Sequence, residues 1–254
     1  MLPRNGERQT ALARESQLDM RLVTWNCCRG PYLTKAALLD VFSPDIAVIQ
    51  ECAKPATESS QFRWFGDNPR QGIGVLTRGP YRIRALPQAV NVPLYVIPVR
   101  ITGPIEFVLL AVWSKGGQEH PYVEGVVRAV EIYHHLFRKY PTVLAGDLNS
   151  NAIWDSNHAP GLGHSALVKQ LAGLGLVSSY HYFHGEAHGK EKRPTYYFQW
   201  NRQRPFHIDY CFIPEIWAPR LSRVEVGSFA RWKSSSDHRP LLVELAGLQQ
   251  SDPD

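Results

Sequence analysis

Carboxylate, amide and imidazole side chains stand at the ends of five apolar segments of this sequence. They are Asn26 after LVTW, Glu51 after IAVIQ, Asp147 and Asn149 in VLAGDLN, Asp209 in HIDYCF, and Asp237 with His238 before PLLVEL. In α/β proteins, strand ends are where a rigid scaffold presents side chains to an open sheet edge. If these segments converge, the polar residues form a carboxylate-rich pocket.

Each of these clusters alone also has a purely structural interpretation. Asn26 can be a turn residue, Glu51 a solvated strand end, GDLN a turn or helix cap, and SDH a bend that caps a helix. Only their combination, in this order and always at the end of an apolar segment, favours a shared functional site.

The elements that must position these residues are short strands alternating with helices. The predicted strands are LVTWN, DIAVIQE, GIGVLT, LYVIPVRI, EFVLLAVWS, TVLAGDLN, LVSSYHYF, TYYFQW, HIDYCFIP, RVEVGSF and LLVEL. The predicted helices run from Thr34 to Phe42, from Tyr122 to Tyr140, where apolar residues recur every three or four positions, and from Ser165 to Leu174. The two halves share this element order, which fits two mixed sheets with helices outside.

Length and composition are those of one large α/β domain. With 254 residues, of which 44% are apolar, the chain can bury a substantial core. We expect a flexible leader over 1–20, a single catalytic domain over 21–246 and a tail over 247–254. The first twenty residues contain no apolar block long enough for a signal peptide or a membrane span.

Cysteine usage favours a reduced, cytoplasmic protein. Cys27, Cys28, Cys52 and Cys211 all lie in or beside apolar segments, and two of them are adjacent in sequence, an unfavourable arrangement for a structural disulfide. No CxxC pair or Cys/His spacing indicates a structural zinc site.

Basic residues outnumber acidic ones, by 28 to 23, which favours a polyanionic partner. The stretch 190–239 alone carries ten basic and five acidic residues. Its loops contain Trp200, Arg204, Trp232 and Lys233, which are candidates for contacts to bases and phosphates. The alternative is that both tryptophans pack beneath their own loops.

The motifs WN, IQE, GDLNS, HIDY and SDHRP resemble, in order and strand context, those of the endonuclease/exonuclease/phosphatase superfamily. This superfamily contains DNase I-like nucleases, abasic-site endonucleases, sphingomyelinases and inositol-polyphosphate 5-phosphatases. The resemblance runs from Leu22 to Leu245. It implies a four-layered α/β sandwich and hydrolysis of phosphodiester bonds with Mg²⁺, or alternatively Mn²⁺, as cofactor.

The resemblance also implies a role for each strand-end residue. Glu51 is the direct metal ligand, with Asn26 beside it and Asp237 close by, and Mg²⁺ prefers such oxygen ligands. His238, paired with Asp209, contacts the scissile phosphate. Asp147 orients and activates the attacking water, and Asn149 donates to a phosphate oxygen.

Two positions depart from the pattern of the superfamily. Many of its nucleases carry His or Tyr near the leaving group, where this chain reads Val112-Trp113-Ser114-Lys115. Either Lys115 or Ser114 substitutes, the metal acts alone, or Trp113 is core and Lys115 a solvated loop residue. Abasic-site endonucleases carry an acid where this chain has Cys28, and a thiol is a poor Mg²⁺ ligand. We therefore expect a superfamily nuclease without close equivalence to that subfamily.

The function expected from the sequence is that of a monomeric, Mg²⁺-dependent DNA endonuclease. The alternatives are an RNase, a phosphatase or phosphodiesterase acting on small or lipid phosphates, and a non-catalytic nucleic-acid-binding module. The full set of polar strand-end residues argues against the last of these. The sequence shows no amphipathic membrane helix or apolar hairpin, which weakens the lipid alternative, and we expect no membrane partner.

Overall fold

Strands and helices alternate along the chain. The structure, a computed structural model, describes residues 18–89, 91–92, 95–116 and 119–248. The strands are β1 (Leu18–Asn26), β2 (Ile46–Cys52), β3 (Phe62–Asn68), β4 (Gln71–Thr77), β5 (Arg82–Ala85), β6 (Val96–Thr102), β7 (Phe107–Trp113), β8 (Thr142–Asp147), β9 (Leu176–Ser178), β10 (Tyr196–Tyr197), β11 (Pro205–Phe206), β12 (Asp209–Pro214), β13 (Leu221–Val226) and β14 (Leu241–Leu248). The α-helices are α1 (Tyr32–Leu38), α2 (Val123–Ile132), α3 (His134–Lys139), α4 (His164–Gly173), α5 (Ser179–His184) and α6 (Phe229–Trp232). Short 3₁₀ helices span Leu39–Phe42, Ala152–Asn157, Phe198–Trp200 and Glu215–Arg220.

The strands form two mixed sheets of six strands and one small hairpin. The first sheet has the order β13-β14-β1-β2-β4-β3, the second has the order β5-β6-β7-β8-β12-β9, and β10 pairs with β11. Each large sheet contains a single parallel pair, β1 with β2 and β7 with β8. A parallel pair requires a crossover connection, and helices make both crossovers.

Three apolar clusters divide the fold into four layers. Between the sheets, side chains such as Ile46 of the first sheet pack with Leu109 of the second. Successive residues of a strand point to opposite faces, so Ile49 and Trp25 instead meet α1 on the outer face of the first sheet. The corresponding outer face of the second sheet packs against α2 and α4. The predicted α/β sandwich with helices outside is confirmed.

The strands β7 and β8 are buried along their whole length. Such strands read as continuous apolar segments because neither face meets water. Gly146 in β8 has φ +153°, and a Cβ there would lie 1.9 Å from the carbonyl oxygen of Val112. Glycine therefore lets β8 approach β7 closely just before the strand delivers Asp147.

Three predicted elements differ from the structure. The strand predicted for TYYFQW is a strand only at Tyr196–Tyr197 and continues as a 3₁₀ helix over Phe198–Trp200. The helix predicted from Tyr122 to Tyr140 is interrupted at Tyr133, whose backbone leaves the helical region and whose hydroxyl accepts a hydrogen bond from the Ala89 N–H. The strand predicted for LVSSYHYF ends at Ser178 and continues as α5. At this point the Ser178 hydroxyl bonds His181 Nδ1 at 2.7 Å, and the Ser179 hydroxyl donates to the Cys211 carbonyl.

Both predicted domain boundaries need correction. Strand β1 begins at Leu18, and Met20 is fully buried between the sheets, so the end of the predicted leader belongs to the fold. Strand β14 extends to Leu248, which is also buried, so the predicted tail begins too early. The remainder of the predicted leader and tail lies outside the described residues. Within the described ranges, no helix combines the length and apolar character needed to cross a membrane.

Candidate active site

The predicted site residues converge at one edge of the sandwich. Strands β1, β2 and β8 end there, while β12 begins there, because β12 runs antiparallel to β8 and pairs Asp209 with Asp147. Asn26 pairs with Gln50 across the parallel strands of the first sheet, which brings Glu51 beside it. The strand register thus explains why residues far apart in sequence share one pocket.

Asn26 joins the two sheets at this edge. Its Nδ2 donates to Asp147 Oδ2 at 2.9 Å and to Glu51 Oε1 at 3.1 Å. Its Oδ1 accepts from the Cys28 N–H at 3.0 Å, and its carbonyl accepts from the Ser236 hydroxyl at 2.7 Å. The side chain is buried, so these contacts fix its orientation and that of both carboxylates.

Asp147 is held by the turn that follows it. Asn149 has φ +44°, a left-handed conformation that asparagine tolerates, and its N–H donates to Asp147 Oδ1 at 2.8 Å. Its Nδ2 donates to Asp147 Oδ2 at 3.1 Å and to the Ser114 carbonyl at 2.9 Å. Both amide hydrogens are therefore engaged, and Asn149 orients Asp147 instead of presenting a free donor to a phosphate as predicted.

His238 lies between two carboxylates. Its Nδ1 is 2.9 Å from Asp209 Oδ2, and its Nε2 is 4.0 Å from Asp147 Oδ2. Burial alone lowers the pKa of His238, but the charges of Asp209 and Asp147 outweigh it and raise the pKa to about 9. Burial, together with the charge of Asp209, raises the pKa of Asp147 to about 7. The cluster thus combines an imidazolium donor with a carboxylate able to accept a proton near neutral pH.

Oxygen ligands for a metal ion face a pocket next to this cluster. Glu51 is partly exposed and has φ +61°, a strained conformation that turns its carboxylate out of the strand. Burial, followed by the nearby carboxylates of Asp237 and Glu51, raises the pKa of Cys28 to about 11. Cys28 is therefore a neutral thiol, and the carboxylate oxygens of Glu51 and Asp237 fit a hard divalent cation, while Asn26 orients Glu51 through its Nδ2. Asp147, Asp209 and His238 also bring ligand atoms within 4.8 Å of one another, but Asp209 already pairs with His238 Nδ1, and Asp147 already accepts hydrogen bonds from Asn26 and Asn149.

Of the residues predicted to contact substrate, the structure buries one and leaves two others exposed to solvent. Trp232 is buried, with its ring centroid 5.0 Å from that of Trp25 and 5.8 Å from that of Phe42, so its prediction as a substrate contact is wrong. Its indole covers the outer face of the first sheet, where burial stabilises the fold. Trp200, in contrast, is 49% exposed. Lys233, at the end of α6, is also exposed.

Lys115 and Arg204 each lie over aromatic rings. Lys115 Nζ is 4.3 Å from the ring centroid of Tyr95 and 4.6 Å from that of Trp113. The neighbouring Ser114 is buried, and its hydroxyl donates to the Leu148 carbonyl, which leaves Lys115 as the available group of that pair. The Arg204 guanidinium lies 4.1 Å from the Phe198 ring centroid in the β10–β11 hairpin.

Several residues that support the site were missed from the sequence. The Tyr196 ring packs on His238, at 4.5 Å between centroids, and its strand forms a β-bridge to that residue. The Thr195 hydroxyl accepts from the Asp209 N–H at 3.0 Å, and the buried Arg239 donates to the carbonyls of Ser236 and His238. The arginine of SDHRP was the available signal, since it directly follows the catalytic motif.

A comparison with protein families identifies this arrangement. The sequence profile of the endonuclease/exonuclease/phosphatase family matches residues 23–238, a range that contains every residue of the pocket described above. The chain belongs to this family. Its members are hydrolases that act on phosphoester bonds. Among curated proteins, no relative matches the chain.

Solved structures share the fold at low sequence identity. The endonuclease domain of TRAS1, a telomere-specific non-LTR retrotransposon, is 17% identical with a TM-score of 0.64, covering 90% of this chain and 98% of that one. The 3′-5′ exonuclease NExo from Neisseria meningitidis is 18% identical with a TM-score of 0.63, covering 89% and 99%. An AP endonuclease from Archaeoglobus fulgidus is also 18% identical, with a TM-score of 0.63, covering 88% and 98%.

Proposed function

We propose that this family member is a divalent-metal-dependent DNA endonuclease that cleaves phosphodiester bonds by in-line attack of water. The observation that carries the proposal is the connection between two sets of groups. Asp209, His238 and Asp147 form a buried proton-handling cluster, and Asn26 links Asp147 directly to Glu51 in the oxygen-lined pocket. A binding module has no need of such a connection.

Asp147 and His238 act on the two oxygens that change charge. Asp147 accepts a proton from the attacking water, and Asn149 with Asn26 holds its carboxylate in place. His238, kept as imidazolium by Asp209, donates from Nε2 to a phosphate oxygen as negative charge gathers there. His238 Nε2 lies 4.0 Å from Asp147 Oδ2, close enough for the two groups to act on neighbouring oxygens, the attacking water and an oxygen of the phosphate.

The oxygen ligands favour Mg²⁺, with Mn²⁺ as an alternative. Glu51 would hold the ion directly, with Asn26 and Asp237 beside it, and the partial exposure of Glu51 leaves room for water ligands. When bound, the ion polarises the phosphoryl group and stabilises the leaving oxygen.

Features of the pocket's surroundings and of solved relatives support DNA as the substrate. The exposed Trp200 and the ring-stacked Arg204 extend from the hairpin that contacts His238, and Lys115 flanks the turn that holds Asn149. Stacking on bases and pairing with phosphates are the contacts such side chains make. Among the solved structures with this fold is the 3′ phosphatase NExo from Neisseria bound to product DNA hairpin. We further propose that the enzyme acts as a monomer in the cytoplasm.

A panel of substrates tests this proposal. The purified protein would be incubated, with Mg²⁺ or with EDTA, against supercoiled plasmid, single-stranded DNA, abasic duplex, 3′-phosphorylated DNA, RNA and inositol phosphates. Asp147→Ala and His238→Ala serve as site variants, and His135→Ala, at an exposed position on α3, is the matched control. We expect Mg²⁺-dependent nicking of plasmid that only the site variants lose.

The outcome on each substrate separates the alternatives. Cleavage of RNA or inositol phosphates without cleavage of DNA would replace the proposed substrate but keep the site. Cleavage of no substrate, or equal cleavage by wild type and both site variants, would reject the catalytic assignment.

A further inference from the structure

A second cluster of titratable side chains lies outside the active site. His181 of α5, with His188 and Glu191 of the following loop, each offers a ligand atom, and these atoms lie within 4.8 Å of one another. The proposed reaction uses none of them. They lie beside the segments that follow Asn149 and precede Asp209. Glu191 Oε2, for example, accepts a hydrogen bond from Asn151 Nδ2.

The spacing of the cluster approaches that of a metal site. His181 Nε2 lies 3.0 Å from Glu191 Oε1, and the rings of His181 and His188 stack with their centroids 3.5 Å apart and their planes 18° from parallel. A tetrahedral zinc ion with bonds near 2.1 Å keeps its ligand atoms about 3.4 Å apart. The His181–Glu191 pair is thus within a few tenths of an ångström of that spacing. His188 must tilt out of its stack on His181, so that the in-plane lone pairs of both rings point at one ion, and must close by no more than about 1.4 Å, because all three ligand atoms lie within 4.8 Å of one another.

Each ligand has an outer partner that orients it. His181 Nδ1 contacts the Ser178 hydroxyl at 2.7 Å, and His188 Nδ1 contacts His164 Nε2 at 3.0 Å. Glu191 is held by Asn151 and by the Gly189 N–H. Metal-binding histidines characteristically engage their other ring nitrogen in this way, so Nε2 of each ring is the ligand atom, and Nε2 of His181 would exchange its contact with Glu191 Oε1 for the ion.

The charges of the cluster also fit a bound cation. The Glu191 side chain is 4% exposed, and among the described residues its ion-pair partner is His181, with no Lys or Arg. A buried carboxylate beside imidazole nitrogens, without Lys or Arg to neutralise it, supplies the negative charge that a divalent metal requires.

We propose that His181, His188 and Glu191 bind a zinc ion that ties α5 and its loop to the back of the catalytic strands. Two imidazole nitrogens and one carboxylate oxygen suit Zn²⁺, whereas Mg²⁺ prefers oxygen ligands alone. The ion links the 178–191 segment to Asn151, whose Nδ2 also contacts the His207 carbonyl and the Tyr210 hydroxyl. The site is separate from the Glu51 pocket and does not depend on the proposed activity.

Metal analysis of the full chain tests the proposal. Protein stripped with EDTA would be mixed with ZnCl₂ in the presence of excess Mg²⁺, passed over a desalting column and analysed by mass spectrometry for zinc. We expect wild type to retain about one zinc per chain. His188→Gln and Glu191→Gln would retain at least tenfold less, while Glu51→Gln and His135→Gln would match wild type.

Cobalt substitution gives a second readout that requires no variant. Co²⁺ bound by two imidazoles and a carboxylate in a four-coordinate site gives intense visible absorption, and added Zn²⁺ abolishes it. The proposal is overturned if wild type retains no more zinc than His188→Gln and shows no such absorption. It is equally overturned if Glu51→Gln removes all the zinc, since the ion then belongs to the catalytic pocket. Circular dichroism of each variant verifies folding, and these results are independent of nuclease activity.

Discussion

His238 and His188 are both imidazoles with carboxylates nearby, yet their surroundings move their pKa values in opposite directions. His238 lies between Asp209 and Asp147, and these charges outweigh burial and raise its pKa. His188 stacks on His181 and contacts His164, so burial and neighbouring imidazoles lower its pKa. The ratio of carboxylates to imidazoles, more than residue type, decides which cluster can donate protons and which offers neutral ligands.

The largest expected effect is on catalysis at the carboxylate-rich cluster. Replacing Asp209 by Asn removes the charge that keeps His238 protonated while retaining the shape of the side chain. We expect kcat for DNA cleavage to fall by roughly 10²- to 10⁴-fold, the range of a positioned acid or base, with KM little changed. Steady-state kinetics would measure this, with Asp155→Asn, which lies outside both clusters, as the control. A variant retaining kcat within a few-fold would show that Asp209 does not act through His238.

Trp232 and Trp200 also differ in their surroundings, since the first is buried and the second is exposed. Trp232→Ala should destabilise the fold by about 3 to 5 kcal/mol, because it opens a cavity in a packed core. Trp200→Ala should leave unfolding unchanged and weaken DNA binding by about 1 to 3 kcal/mol, the cost of losing one stacked base. Urea unfolding and fluorescence anisotropy with catalytically inactive protein measure the two effects. Equal behaviour of the two variants would contradict the assignment.

Acid should destabilise the imidazole-rich cluster specifically. The folded-state pKa values of His164, His188 and His207 lie below the unfolded value near 6.5, so the unfolded state binds more protons between about pH 6.5 and pH 4. The free energy of unfolding in EDTA should therefore fall as pH is lowered through this window. His164→Gln should show a shallower slope than wild type, with His135→Gln as the matched control. Parallel slopes for all three proteins would show that these imidazoles are not held neutral by burial.

The pH response of His238 has the opposite sign. Its folded-state pKa of about 9 lies above the unfolded value, so its stabilising contribution is complete below about pH 6.5 and is lost as pH rises through 9. Measuring the free energy of unfolding from pH 4 to pH 6.5 and again through pH 9 therefore distinguishes the two clusters in one experiment.

The smallest expected effect is at Cys28. This thiol lies beside Asp237 and Glu51, and its raised pKa keeps it protonated at neutral pH. Cys28→Ser should therefore leave Mg²⁺-dependent turnover within about a few-fold of wild type, since a neutral hydroxyl replaces a neutral thiol of similar size. A collapse of turnover in a folded variant would mean that the thiol takes part in the reaction.

The site was more predictable from the sequence than the surface around it. Asn26, Glu51 and Asp147 lie at the ends of apolar strands, and Asp209 and His238 lie at or just before the start of one. Strand register brings the first four together, and a β-bridge to Tyr196 adds His238. Trp232 was misassigned because the basic residues beside it in sequence indicate a substrate-facing loop, whereas its ring packs on Trp25 at the outer face of the first sheet. The depth of a side chain depends on contacts with Trp25 and Phe42, which are distant in sequence.

The second cluster left no pattern that could be recognised in the sequence. His164, His181, His188 and Glu191 follow no zinc-motif spacing, and His181 lies in a segment that was predicted as a strand but folds as α5. Likewise, the interruption at Tyr133 depends on a hydrogen bond to Ala89, which periodicity does not register. Local sequence patterns thus predicted the helices, the strands and the polar residues at strand ends. Tertiary contacts determined where a helix is interrupted, which side chains are buried and which side chains form clusters.

The central proposal is that Asp147, whose carboxylate lies beside His238 and is linked by Asn26 to Glu51, accepts the proton of the attacking water. The most direct test is Mg²⁺-dependent nicking of supercoiled plasmid by Asp147→Asn, compared with Asp155→Asn and wild type. We predict that nicking by Asp147→Asn falls by at least about 10²-fold at every pH while its circular dichroism spectrum is unchanged. Nicking at the wild-type rate by a folded Asp147→Asn protein would contradict the account.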